Sequence, residues 1–372
     1  MTIAITINTS WNIYNFRLGL IKVLLADGHR VVAIAPADDF SNKLIAGGCE
    51  FEPVKIANTG SNPLTDLKLI FDLFRIYRRV KPDIVFQYTI KPNLFGTIAA
   101  KLNGTSVINN VSGLGTVFLT DGISSKIAKT LYRHVFKLAD LVFFQNPDDE
   151  KEFRSQIVIP NLKSDLLPGS GINLLEFQSK TPMIHEPIKF IMVARLIVEK
   201  GINEYLQAAA LVKASYPDTV IQILGKLDAT HSRGMDKNLL QDSVDKGIVE
   251  YLGEQDDVRP LLEKASCVVL PSYREGTPRT LLEAAAMRKP IITTDVPGCR
   301  EVVEDQVSGF LCEVRNASDL ANKMMLFMKL PHEQKNEMGD CGRKLVEDRF
   351  DEKIVIDKYI KHSALITNQI SY

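Results

Sequence analysis

Read as apolar and polar positions, the first half of the chain alternates between two periods. Short apolar runs at 3–7, 30–35, 51–56, 84–87, 106–110 and 141–145 have the length and β-branched content of buried strands. Between them, 16–26, 39–46, 64–80, 93–102 and 125–139 carry apolar residues at helical spacing, punctuated by Asp27-Gly28, Asn62-Pro63 and Lys81-Pro82. The pattern restarts after a Gly-rich segment, Leu167-Pro168-Gly169-Ser170-Gly171-Ile172-Asn173, and a proline-bearing, aperiodic 181–187 that reads as linker. Strands are then expected at 188–193, 220–224, 249–252, 267–270 and 290–293, and helices at 202–215, 318–328 and within 349–370. The stretch 156–159 reads as strand-like. Such alternation predicts an α/β fold with parallel sheets, whose ligands meet the C-terminal ends of strands.

The loops at those strand ends hold the candidate chemistry. In 270–294, Glu275 and Gly276 precede Thr277, an N-cap residue, and Pro278 at the first helical position, with Glu283 a turn or so inside the helix. A helix N-terminus beside a glycine suits a phosphate, and the flanking carboxylates suit hydroxyls on either side of it. A sugar, a diphosphate and a ribose in a row satisfy that pattern; helix-start acids favoured by the macrodipole are the plainer explanation. Arg195 and Lys200 flank another strand-end loop, and they read either as a clamp on one diphosphate or as surface bases.

In the first half, the loop expected at 8–17 holds the only tryptophan; its aromatics with asparagines such as Asn15 suit a sugar or lipid-linked acceptor and Arg17 suits an anion on the acceptor side, while Trp11, Tyr14 and Phe16 read equally as a staple of the loop to the helix. It contains no glycine, so the dinucleotide fingerprint of a nicotinamide enzyme is missing. Lys91 follows the fourth strand, and Ser112 and Gly113 follow the fifth. The helix at 124–139 carries Lys126, Lys129, Arg133 and Lys137, and Arg75, Arg78, Arg79 and Lys81 form a second basic cluster. Each reads as a solvated helix face or as a contact to an anionic membrane.

Length changes the picture by one step: 372 residues exceed a single core, and two domains follow. Forty-five basic and forty-five acidic residues cancel, so no global field attracts nucleic acid. Five scattered cysteines without a CxxC pair point to reduced thiols rather than zinc or disulfides. The start lacks the grammar of a signal peptide and no apolar run reaches about 18 residues, so a cytoplasmic chain is expected.

The residues Pro271-Ser272, Glu275-Gly276, Pro278, Glu283-Ala284 and Lys289-Pro290-Ile291-Ile292, with Val193-Ala194-Arg195-Leu196 and Glu199-Lys200-Gly201, together resemble retaining glycosyltransferases of family 4. Two glutamates eight positions apart after a Pro-Ser strand end are that family's nucleotide-sugar motif. The likeness is strongest to bacterial enzymes adding an N-acetylhexosamine to polyprenyl-diphosphate-linked glycans, as in capsule or lipopolysaccharide assembly. It implies the GT-B fold, two Rossmann-like domains facing across a cleft: 1–175 for the acceptor, 176–349 for the nucleotide-sugar, and a helix in 350–372 packing back on the first. It further implies that Arg195 and Lys200 neutralise the diphosphate, that Glu275 holds the donor sugar and Glu283 the ribose, and that backbone N–H groups from Gly276 to Arg279, through Thr277 and Pro278, seat the phosphate. Gly253 is assigned near the base. Lys91 resembles part of a His-x-x-x-Lys-Pro segment, whereas Ser112-Gly113 replaces the acidic residue or histidine many members carry, leaving the acceptor base unassigned. The donor is expected to be UDP-linked, the acceptor lipid-linked, the membrane contact peripheral, and no metal or other cofactor is required. A nucleotide-sugar epimerase on the same scaffold and a catalytically silent sugar- or lipid-binding subunit are the alternatives.

Overall fold

The computed structural model describes residues 1–57, 62–114, 118, 122–179, 186–227 and 233–368, the side chains of residues 123 and 124 excepted. The chain divides into two compact units, Met1–Ser170 with Glu352–Tyr372, and Gly171–Asp351. The division falls inside the Gly-rich segment, a few residues before the expected 175. Most of the expected linker, 181–187, lies outside the described residues.

The first unit holds β1 (Thr2–Thr6), β2 (Arg30–Ala35), β3 (Glu50–Pro53), β4 (Ile84–Tyr88), β5 (Ser106–Val111), β6 (Leu141–Phe144) and β7 (Ser164–Leu166). They form one parallel sheet in the order β3-β2-β1-β4-β5-β6-β7. Successive residues of a strand point to opposite faces. Accordingly Ile3, Ile5 and Ala33 enter one core and Ala4, Val32 and Ile34 another. Both faces are buried, as a parallel sheet requires.

Local signals set the helices. Asn62 Oδ1 accepts the Leu64 amide at 3.0 Å and Pro63 opens the helix Pro63–Val80, which stops at Lys81 in the left-handed region. The helix Glu352–Asn368 is sequence-distant but belongs to the first unit. Its Tyr359 ring sits 4.7 Å from Phe86 and 5.0 Å from Phe143, and Asp165 is bonded by Lys358 at 2.9 Å.

Several expectations need correction. The supposed loop at 8–17 is mostly helix, Ser10–Ala26, because Thr9 Oγ1 accepts the Asn12 amide and caps it. The strand-like 156–159 follows a helix, Pro147–Gln156, whose cap Asn146 accepts the Asp149 amide at 2.7 Å. The helix expected at 93–102 begins as a π-turn, Pro92–Gly96, before Thr97–Leu102.

The second unit holds β8 (Lys189–Val193), β9 (Val220–Leu224), β10 (Glu250–Tyr251), β11 (Cys267–Leu270), β12 (Ile291–Thr294) and β13 (Gly309–Cys312). Their order is β10-β9-β8-β11-β12-β13, also parallel. In each unit the chain reverses direction across the sheet once, between β1 and β4 and between β8 and β11. Loops leaving such paired strands diverge and open a crevice for a ligand.

Candidate active site

In the second unit, the loop after β8 and the loop after β11 meet above that crevice. Two hydrogen bonds tie them: the Tyr273 amide donates to the Glu199 carbonyl at 2.9 Å, and Thr280 Oγ1 donates to the Val193 carbonyl at 3.0 Å. Gly201, at φ +71°, makes the approach possible, since a Cβ there would lie 2.0 Å from the Pro271 oxygen. The loop after β12 closes the third side. The Glu275 amide donates to the Pro297 carbonyl, and Gly298, at φ +85°, leaves no room for a Cβ against the Glu275 oxygen at 2.4 Å.

This clasp brings together residues seventy-five positions apart: Lys200 Nζ forms an ion pair with Glu275 Oε1, their side chains 20% and 13% exposed. Ser272 Oγ donates to the same Glu275 oxygen at 2.8 Å, and Thr294 Oγ1 holds the Ser272 carbonyl. Ser272 is thus an orienting group that motif reading passed over as part of Pro-Ser. Arg195 is exposed, and its side chain has no partner among the described residues. A fixed carboxylate, a lysine bonded to it and a free guanidinium therefore sit on two tied loops. Behind them, burial pushes the Cys299 thiol up to about 12, so it stays protonated and inert.

The helix beyond differs from expectation at its start. Pro278, not Thr277, is the cap residue, and the helix is Arg279–Ala286. Pro278 has an extended ψ of 115°, and the Leu281 and Leu282 amides bond back to its carbonyl. Lacking an N–H, Pro278 cannot join a row of phosphate donors. Glu283, eight positions after Glu275, accepts from Arg279 Nε at 3.1 Å, while Arg279 Nη1 donates to the Gly171 carbonyl at 2.7 Å. Burial pushes the Glu283 carboxyl above its usual range, opposed by the Arg279 charge. The i, i+4 spacing of Arg279 and Glu283 was readable; the reach to Gly171 was not. Gly253 stands apart, after the edge strand β10 and at φ +72°, its carbonyl accepting the Gly225 amide at 2.7 Å.

The first unit has its own pocket at the β1/β4 reversal, about 270 Å³ in volume. Lys91, Ser112 and Gly113 line it, with Asn8, Thr89 and Tyr132. Lys91 Nζ pairs with Asp66 at 2.8 Å, both largely buried. Ser112 Oγ donates to Asn110 Oδ1 at 3.1 Å, and Asn110 in turn donates to Tyr359 of the last helix. Thr89, a β-branched residue at φ +65°, marks strain at the rim, as binding loops often do. The other two candidates are not among its lining residues. Asn15 bonds the Trp11 carbonyl of its own helix, and Arg17 is 4% exposed with its guanidinium 4.3 Å from the Tyr88 ring. Their apparent loop position came from the missed helix start.

Two family matches fall one within each unit: "Glycosyl transferase 4-like" over residues 2–146 and "Glycosyl transferases group 1" over 175–345. The chain belongs to these glycosyltransferases. Its fold is that of GT-B enzymes: a glycosyltransferase from Rickettsia africae superposes with a TM-score of 0.79 at 19% identity, covering 98% of both chains. An Anabaena protein, HepE, solved with UDP and glucose, gives 0.78 at 17% identity over 100% and 99%. Among curated relatives, the N,N'-diacetylbacillosaminyl-diphospho-undecaprenol alpha-1,3-N-acetylgalactosaminyltransferase of Campylobacter jejuni is 27% identical across 94% of this chain and 95% of its own length. An Escherichia coli UDP-Gal:alpha-D-GlcNAc-diphosphoundecaprenol alpha-1,3-galactosyltransferase is 26% identical over 70% of each. These relatives are transferases, and they lend the epimerase alternative no support.

Proposed function

We propose that the chain transfers a hexose, an N-acetylhexosamine by its likeness to the Campylobacter enzyme, from a UDP-sugar to a polyprenyl-diphosphate-linked glycan, with retention of anomeric configuration. The arrangement of Lys200, Glu275 and Ser272 beside Arg195 carries this reading. Before the donor arrives, the ion pair holds Lys200 and Glu275 in place. The incoming diphosphate competes for Lys200 and takes Arg195 as a second cation. Glu275, still bonded by Ser272, then accepts from the donor sugar's hydroxyls.

In the reaction the bond from the anomeric carbon to the diphosphate breaks and a bond to the acceptor oxygen forms on the same face. The acceptor proton leaves with the diphosphate, whose growing charge Lys200 and Arg195 stabilise. Two side-chain cations fill the role a divalent ion otherwise plays, so the reading includes independence of added metal. Glu283 takes the ribose hydroxyls, and the pocket of Lys91, Ser112 and Gly113 takes the acceptor. A lipid-linked acceptor places the reaction at a membrane surface, although no helix among the described residues is long and apolar enough to cross one.

The test is a panel of UDP- and GDP-sugars offered with a polyprenyl-diphosphate glycan in the presence of a chelator, the product read by mass. Transfer from one UDP-sugar, with UDP release only when acceptor is present, is expected. Release of UDP without acceptor, or product only from GDP-sugars, would overturn the proposal.

A further inference from the structure

The helix Pro63–Val80 buries Leu69, Leu73, Ile76, Tyr77 and Val80, yet its opposite face begins apolar. Leu64, Leu67 and Phe71 are 77%, 63% and 58% exposed, and steps of three and four residues put them in one stripe. Lys68, Arg75, Arg78 and Arg79 are exposed along the same face, the Arg75 guanidinium 5.6 Å from the Phe71 ring. The carboxylates beside them are Asp72, bonded by Lys68 at 2.9 Å, and Glu52 of β3, paired with Arg79. Basic groups outnumber acidic ones on this face.

We propose that this helix docks the enzyme on an anionic lipid bilayer. Leu64, Leu67 and Phe71 enter the boundary between headgroups and acyl chains, and Lys68, Arg75, Arg78 and Arg79 meet lipid phosphates. An apolar stripe continued by basic residues is complementary to that surface, which offers hydrocarbon below a layer of negative charge. The placement agrees with the chemistry. Asp66, on the first turn of the helix, holds Lys91, which lines the first unit's pocket, so the stripe begins beside the pocket rim. An acceptor carried on a membrane lipid would then meet its pocket without leaving the bilayer surface, and in this respect the inference rests on the lipid-linked acceptor proposed above. The other basic helix of the sequence pattern is less suited. Among its described side chains, Ile123–Val135 has one large apolar residue that is strongly exposed, Ile127 at 57%, and it buries Tyr132 and Val135, where Pro63–Val80 exposes three.

The experiment is co-sedimentation of the full chain with vesicles of phosphatidylglycerol and phosphatidylethanolamine, against phosphatidylcholine vesicles. One variant combines Leu64→Ser, Leu67→Ser and Phe71→Ser; a second combines Arg75→Glu and Arg78→Glu; a third reverses Lys126, Lys129 and Lys137 to Glu. The first two should bind anionic vesicles about tenfold or more weakly, and the third within about twofold of the parent. All three should keep parental transfer to a short-chain, water-soluble acceptor, which shows that they fold. Unchanged vesicle binding by the first variant would overturn the proposal. So would a loss confined to the third, or a parent dimer that the first variant turns monomeric while vesicle binding persists. A parent chain that binds vesicles but transfers nothing would overturn the acceptor reading and leave the docking face standing.

Discussion

Lys200 and Glu275 offer the sharpest test, because a structural and a catalytic pair respond differently to removal of both partners. In Lys200→Met, Glu275 keeps its bond from Ser272 but loses its counter-charge in a site where its side chain is only 13% exposed. An unsatisfied buried charge of this kind costs about 1–3 kcal/mol, and each kcal/mol lowers Tm by about 2–4 °C in a unit of this size. Glu275→Gln should cost a similar amount by stranding Lys200. The double variant removes both charges and should regain most of the loss, since a buried pair is worth little against neutral replacements. Activity should not follow. Each single change removes a contact to charge or hydroxyls in the transition state, worth about 10²–10³ in kcat, and the double change restores neither. The assay pairs thermal unfolding with initial rates at saturating donor for the four proteins. Recovery of kcat together with Tm in the double variant would refute the catalytic reading and leave a structural ion pair.

Other expectations are narrower. Gly298→Ala places a Cβ against the Glu275 oxygen at positive φ; a stability loss of about 1–3 kcal/mol, read by denaturant titration, should come with reduced kcat because Glu275 is displaced. For Glu283, burial holds the carboxyl pKa above its usual range. Donor KM should therefore rise as pH falls through that elevated value, at a higher pH than for an ordinary glutamate, and Glu283→Gln should show a high, pH-independent KM. The same shift means the fold prefers the protonated form, so its contribution to stability is present at low pH and fades as pH rises through the folded value; unfolding midpoints of parent and Glu283→Gln across pH will show the Gln variant gaining relative to the parent. Lys91→Ala should raise acceptor KM with donor KM unchanged, and equal effects on both would remove the first-unit pocket from the acceptor role.

Much of the architecture was legible because parallel strands buried on both faces announce themselves as apolar runs, and caps such as Asn62-Pro63 are local. Where the reading failed, a local signal competed with composition. Asn146-Pro147-Asp148-Asp149-Glu150 is a cap followed by first-turn acids, but with few apolar residues after it the segment did not look helical. At Thr9 the aromatic-rich run that follows hid a helix start, and with it the burial of Arg17. On the site, the proposed donor-side residues came from spacing and resemblance, while Asn15 and Arg17, read as loop residues, lie within the helix Ser10–Ala26.

By itself, the sequence determined the α/β pattern, the restart that makes two units, and the residue types a diphosphate and its sugars need. Those depend on periodicity and on side-chain chemistry, both local properties. Only the tertiary structure decided which of them meet. The pairing of Lys200 with Glu275, the hold of Ser272 on that carboxylate, the bracing of Ser112 through Asn110 by Tyr359, and the outward apolar stripe of Leu64, Leu67 and Phe71 all depend on strand order and on which helix face the sheet covers. Those are fixed by packing between residues far apart in the chain, which no local pattern records.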